Sequence, residues 1–146
     1  MMLVTADTNL LASGVARRNP DAAPAQFIDA WRAGRLTLLL SEHILAELAR
    51  TLSLPYFQRH VTPAQAAAFI ALLRSDALIV AITATVHGAA THPEDDLVLA
   101  TALSGQVEYL VTGDTKLQRL GSYAGMTIAS PRAFVDIILP GLPQDR

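Results

Sequence analysis

Apolar residues along this chain follow two rhythms. Short runs at "MLVTA" (2–6), "LTLLL" (36–40), "ALIVAI" (77–82), "EYLVTG" (108–113) and "MTIAS" (126–130) read as buried strands. Between them, apolar positions recur every three or four residues, the spacing of an amphipathic helix. "PAQFIDAWRAG" (24–34) places Phe27, Ile28 and Trp31 on one face, with Pro24 in its first turn and Gly34 as its stop. Ser41 is placed to cap "EHILAELARTL" (42–52), whose stripe is Ile44, Leu45, Leu48 and Leu52. A Thr-Pro pair opens "TPAQAAAFIALLRSD" (62–76). "HPEDDLVLATALSG" (92–105) starts with a proline and three acids and ends at a glycine, and "PRAFVDIIL" (131–139) closes the pattern. Strands alternating with helices predict an α/β fold with a parallel sheet. Residues 1–139 read as one domain, with 140–146 as a flexible tail.

Composition narrows the class. The chain has 146 residues, of which 51% are hydrophobic, enough to build a core without staples. So high an apolar share suits a sheet buried on both faces, a subunit interface, or both. With no cysteine, disulfides and thiolate metal sites are excluded. No signal-peptide pattern or bilayer-length apolar stretch is present, so a cytoplasmic protein without a membrane partner is expected. A formal charge of −2 argues against a general nucleic-acid binder.

The acids stand at the ends of these elements. Asp7 follows the first strand and Asp114 the fourth, within "VTGDTKL". Asp95 and Asp96 open the helix before the fourth strand, and Glu47 lies in the helix after the second. Ligands of open parallel sheets bind outside the carboxyl ends of the strands. Carboxylates gathered there repel one another, and a divalent cation relieves the repulsion. An all-oxygen donor set favours Mg²⁺ or Mn²⁺ over Zn²⁺. Each acid also has a plainer reading: Asp7 as a cap of the helix starting near Asn9, the 94–96 run as a response to the helix dipole, Asp114 as a turn residue. Glu47 lies off its helix's apolar stripe, with His43 one turn away as a possible partner.

"TADTNLLASG", "LLLSEHILAELARTL", "HPEDDLVLATAL" and "EYLVTGDTKLQRL", in that order, resemble the motifs of PIN-domain ribonucleases, above all the toxins of bacterial and archaeal toxin–antitoxin pairs. The resemblance runs from about residue 3 to residue 138. It implies a three-layer sandwich with a central parallel five-stranded sheet, order 3-2-1-4-5, and helices on both faces. It also implies that Asp7, Glu47, Asp96 and Asp114 bind Mg²⁺ or Mn²⁺, Glu47 through water, and hydrolyse RNA to 5′-phosphate and 3′-hydroxyl ends. The metal role is assigned to Asp96, with Asp95 as a further candidate. His92 stands where relatives often carry an acid before the proline, a change expected to touch a cap or substrate contact. Thr8, Asn9, Ser41, Thr112, Thr115 and Lys116 are candidate supporting or substrate residues; Arg17, Arg18 and Arg119 are further candidate RNA contacts. A cognate antitoxin is the implied partner, and the Ala-rich helices at 22–33 and 62–75 are candidate surfaces for it or for a homodimer.

Two other functions compete. A haloacid-dehalogenase-like phosphatase needs a second Asp two residues after Asp7, where Asn9 stands, and an acid four residues after Asp114, where Gln118 stands; it is rejected. A non-catalytic PIN-like module binding RNA or protein remains the alternative, and metal binding separates it from a nuclease.

Overall fold

A computed structural model describes residues 2–142. In chain order, β1 (Leu3–Ala6), α1 (Thr8–Ala16), α2 (Ala23–Arg32), β2 (Thr37–Leu40), α3 (Glu42–Leu52), α4 (Pro55–Gln58), α5 (Pro63–Asp76) and β3 (Leu78–Ile79) form the first half. α6 (Pro93–Gly105), β4 (Tyr109–Val111), α7 (Thr115–Leu120), β5 (Ser122–Tyr123), β6 (Met126–Ala129) and α8 (Pro131–Ala133) follow. α8 runs on into a π turn, Phe134–Ile138, and a 3₁₀ turn, Leu139–Gly141. Of the tail expected from residue 140, positions 143–146 lie outside the described residues.

The sheet order is β3-β2-β1-β4-β6-β5. All pairings are parallel except β5 with β6. The expected 3-2-1-4-5 order is present, its fifth member being β6. The correction is a sixth, antiparallel edge strand: Ala124 at φ 51° and Gly125 at φ 86° turn the chain back so that Ser122 and Tyr123 pair with β6. A second correction concerns 77–82, of which only Leu78–Ile79 is strand. β2 ends at Leu40, so after Val80 N–H reaches the Leu40 carbonyl there is no ladder left to join. The chain then crosses to α6, where the Ser104 hydroxyl accepts from Thr83 and Ala84 N–H.

Consecutive residues Val4, Thr5 and Ala6, and Leu38, Leu39 and Leu40, are all buried, so both faces of the sheet are covered. Phe134 packs tilted on Phe27 and edge-on to Tyr109, tying α2 and the C-terminal turn to β4. Six residues of α2 are buried, whereas α5 buries only Phe69 and Leu73. Of the two Ala-rich helices considered as surfaces, α5 is therefore the one with a free face.

β1 and β4 are hydrogen-bonded neighbours with Ala6 opposite Val111. Both strands thus end at one level, and Asp7 N–H closes the ladder on the Val111 carbonyl at 3.2 Å.

Candidate metal centre

Asp7 is both a cap and a member of an acidic cleft. Its Oδ1 accepts from Leu10 N–H at 2.9 Å, starting α1. Its Oδ2 accepts from the Thr112 hydroxyl at 2.7 Å and from Gly113 N–H at 3.0 Å. The same Thr112 hydroxyl oxygen accepts Asp114 N–H at 3.0 Å, so one buried threonine joins the two strand-end acids.

Asp114 caps α7, its Oδ1 accepting from Leu117 N–H. Thr91 approaches from the preceding loop and donates its N–H to Oδ2 at 2.9 Å and its hydroxyl to Oδ1 at 3.0 Å. Burial pushes the Asp114 carboxyl up, but donors from Thr91 and Leu117 outweigh it and hold the group below the ordinary carboxylate range.

Asp95 faces the same cleft, of about 430 Å³, which Asp7, Asp114, Asn9, His92, Thr91 and Thr115 also line. Its carboxylate accepts no hydrogen bond from the described residues. Burial first, then the charges of Asp7 and Asp114, push it up to about 6. Asp96, one residue on, is turned away from that cleft. It is buried and accepts three backbone N–H groups, from Gly88 at 2.9 Å, Ala89 at 3.0 Å and Ala90 at 2.7 Å. The sequence assigns the metal role to Asp96, with Asp95 as the further candidate; successive helix residues point about 100° apart, so Asp95 lines the cleft while the 88–90 amides hold Asp96.

Glu47 lies in an adjoining cleft of about 130 Å³, lined also by Thr8, Asn9, His43, His92 and Asp95. It is paired at 2.5 Å with Arg50. His43 turns its Nε2 to the Glu94 carbonyl rather than to Glu47. Ser41 caps α3 and shares a buried 2.8 Å hydrogen bond with Thr101, away from both clefts. Lys116 donates to the Gly88 carbonyl at 2.8 Å, and Arg17 is bonded to Asp29 and Arg18 to Tyr56. Thr91, unmarked in the sequence, has the most direct hold on Asp114; its only signal was adjacency to the third motif.

Among the described residues, no three His, Cys, Asp or Glu side chains stand close enough to hold one ion between them. The donor chemistry nevertheless fits a hard divalent cation. Each carboxylate oxygen can accept two bonds. Asp7 Oδ1 and Asp114 Oδ2 each carry one donor from the described residues, and both Asp95 oxygens carry none from them. Mg²⁺ keeps several waters and needs only one or two protein carboxylates, so an open cleft is compatible with it.

A family model described as a PIN domain matches residues 4–116. No curated protein matches the chain. Among solved structures, a chain from Rickettsia felis VapBC2 bound to a promoter DNA fragment is 16% identical with a TM-score of 0.58, covering 88% of this chain and 98% of that one. Mycobacterium tuberculosis VapC20, described as a Sarcin-Ricin loop cleaving toxin, is 18% identical with a TM-score of 0.56, covering 85% and 98%. At these identities the structural likeness is one of fold.

Proposed function

This chain belongs to the PIN-domain family, and from that premise we propose that it is a divalent-metal-dependent endoribonuclease, the toxin of a toxin–antitoxin pair. The observation that carries the reading is that Asp7, Asp95 and Asp114 line one cleft beside the carboxyl ends of β1 and β4. In this reading Mg²⁺ or Mn²⁺ sits in that cleft on one or two of these carboxylates, with water completing its shell. Once bound, the ion polarises a phosphoryl oxygen and eases deprotonation of an attacking water. Thr112 and Gly113 N–H hold Asp7 in place, and Thr91 and Leu117 N–H hold Asp114. Asn9, Thr115 and His92 line the same cleft as donors for phosphate or ribose oxygens. Glu47, with Thr8, borders it from the adjoining cleft and acts through water.

RNA is the substrate favoured by the family and by the similarity to VapC20, itself described as a toxin that cleaves the Sarcin-Ricin loop. The similarity to a VapBC2 chain favours a cognate antitoxin. The exposed face of α5 is the surface for that partner or for a second copy of this chain. Among the described residues, no helix is long and apolar enough to cross a membrane, and the cytoplasm is the working location.

The test is cleavage of ribosomal RNA by purified protein with Mn²⁺, with product ends mapped. The expected products carry 5′-phosphates, and Asp7→Asn and Asp95→Asn each lower the rate by roughly 100-fold or more. If folded wild type neither cleaves RNA nor binds Mn²⁺, the non-catalytic binding module becomes the better account.

A further inference from the structure

Four consecutive backbone N–H groups, residues 88 to 91, are held by two carboxylates. The first three go to Asp96 and the fourth to Asp114. Gly88, at φ +69°, gives the backbone the left-handed turn that lets three successive amides converge on one anion. Outside this turn, the Lys116 ammonium holds the Gly88 carbonyl. The segment is therefore fixed at one end by α6 and α7 and presents Thr91 to Asp114 at the other.

We propose that Asp96 is a positioning residue that sets the metal affinity of the cleft without touching the ion: it holds segment 88–91 so that Thr91 orients Asp114. This rests on the metal-dependent reading above. Asp96 Oδ1 already accepts two N–H groups and Oδ2 a third, leaving it poorly placed to ligate. Asparagine at 96 would turn an amide NH₂ toward backbone N–H groups or leave one of them without an acceptor. Both outcomes loosen the turn while conserving shape.

The experiment is calorimetric titration with Mn²⁺ alone of wild type, Asp96→Asn, Thr91→Val and the double variant, each checked for folding by circular dichroism. Asp96→Asn is expected to weaken Mn²⁺ binding roughly tenfold, as for residues that support metal ligands. Thr91→Val is expected to weaken it less. Since both act through one segment, the double variant should bind about as Asp96→Asn does, not by the product of the two effects. Lys116→Met, which frees Gly88 from an exposed side chain, should weaken binding in the same direction.

Unchanged affinity in folded Asp96→Asn would overturn the proposal and leave Asp96 as a stability residue only. Fully multiplicative effects would also overturn it, since Asp96 would then act independently of Thr91, as a direct ligand would. Should Asp96→Asn fail to fold, unchanged affinity in both Thr91→Val and Lys116→Met is the overturning result. Absence of Mn²⁺ binding by wild type is a separate outcome that overturns the metal-dependent reading itself, and this proposal with it.

Discussion

Two consecutive carboxylates at the start of α6 meet opposite surroundings. Asp96 is met by three amides, while Asp95 is half-buried between the charges of Asp7 and Asp114 and is pushed up to about 6. An unfolded aspartate titrates near 3.9, so between roughly pH 4 and 6 the folded chain holds the extra proton at Asp95. Stability consequently falls as pH rises through that window, and the loss persists at pH 7. Asp95→Asn should stabilise the metal-free protein at pH 7 by about 1 kcal/mol, after allowing for solvent screening of a half-exposed group. Near pH 4 it should do little; urea unfolding at the two pH values measures both. Equal effects at both would mean that Asp95's charge is not the cause. Asp114 works in the other direction: held below the ordinary range, its contribution is present above about pH 4 and fades on acidification below that. The sequence marks the 95–96 doublet as functional, but which of the two faces the cleft depends on backbone donors from a glycine turn eight residues earlier. Side-chain patterns do not carry that information.

At the scale of elements, α1 and α2 meet at Gly14. A Cβ there would lie 2.8 Å from the Pro24 carbonyl oxygen and closer still to Ile28 Cγ1. Helix propensity alone predicts that Gly14→Ala, in the last turn of α1, stabilises by up to about 1 kcal/mol. Packing predicts the reverse: the backbone oxygen cannot yield without moving α2, and the cost should be about 1–3 kcal/mol. Denaturant midpoints decide between the two signs. The same distinction governs which elements were legible. Strands β1, β2, β4 and β6 stand out because they are short apolar runs between helical spacings, and the expected strand order holds. α7 and α4 did not stand out, being a turn or two each; α7 owes its start to Asp114, which could equally be read as a turn residue. β5 is two exposed residues whose pairing depends on the positive φ of Ala124 and Gly125. Edge strands and one-turn helices are set by their neighbours more than by their own period.

For the molecule as a whole, half of the composition is apolar because its strands are buried on both faces, leaving α5 as the helix with most uncovered surface. The acids of the cleft come from three separated stretches: the β1–α1 junction, the start of α6 and the β4–α7 junction. An unfolded chain has no such arrangement, so an ion held in this cleft binds the folded state alone and stabilises it by mass action. At a concentration 100 times its Kd, Mn²⁺ should contribute about 2.7 kcal/mol. For a domain of this size that corresponds to a rise in Tm of about 5–10 °C. Chelation should reverse it, and Asp7→Asn should abolish most of it while keeping its own metal-free transition. A rise of equal size in Asp7→Asn would place the ion elsewhere on the surface. The size of the rise also separates two roles for the carboxylates. If their repulsion is relieved chiefly by protonating Asp95, the rise should be larger at pH 7 than at pH 5, where the proton already does part of the cation's work. A rise that does not change with pH would mean that Asp95 is not among the groups the ion must deprotonate.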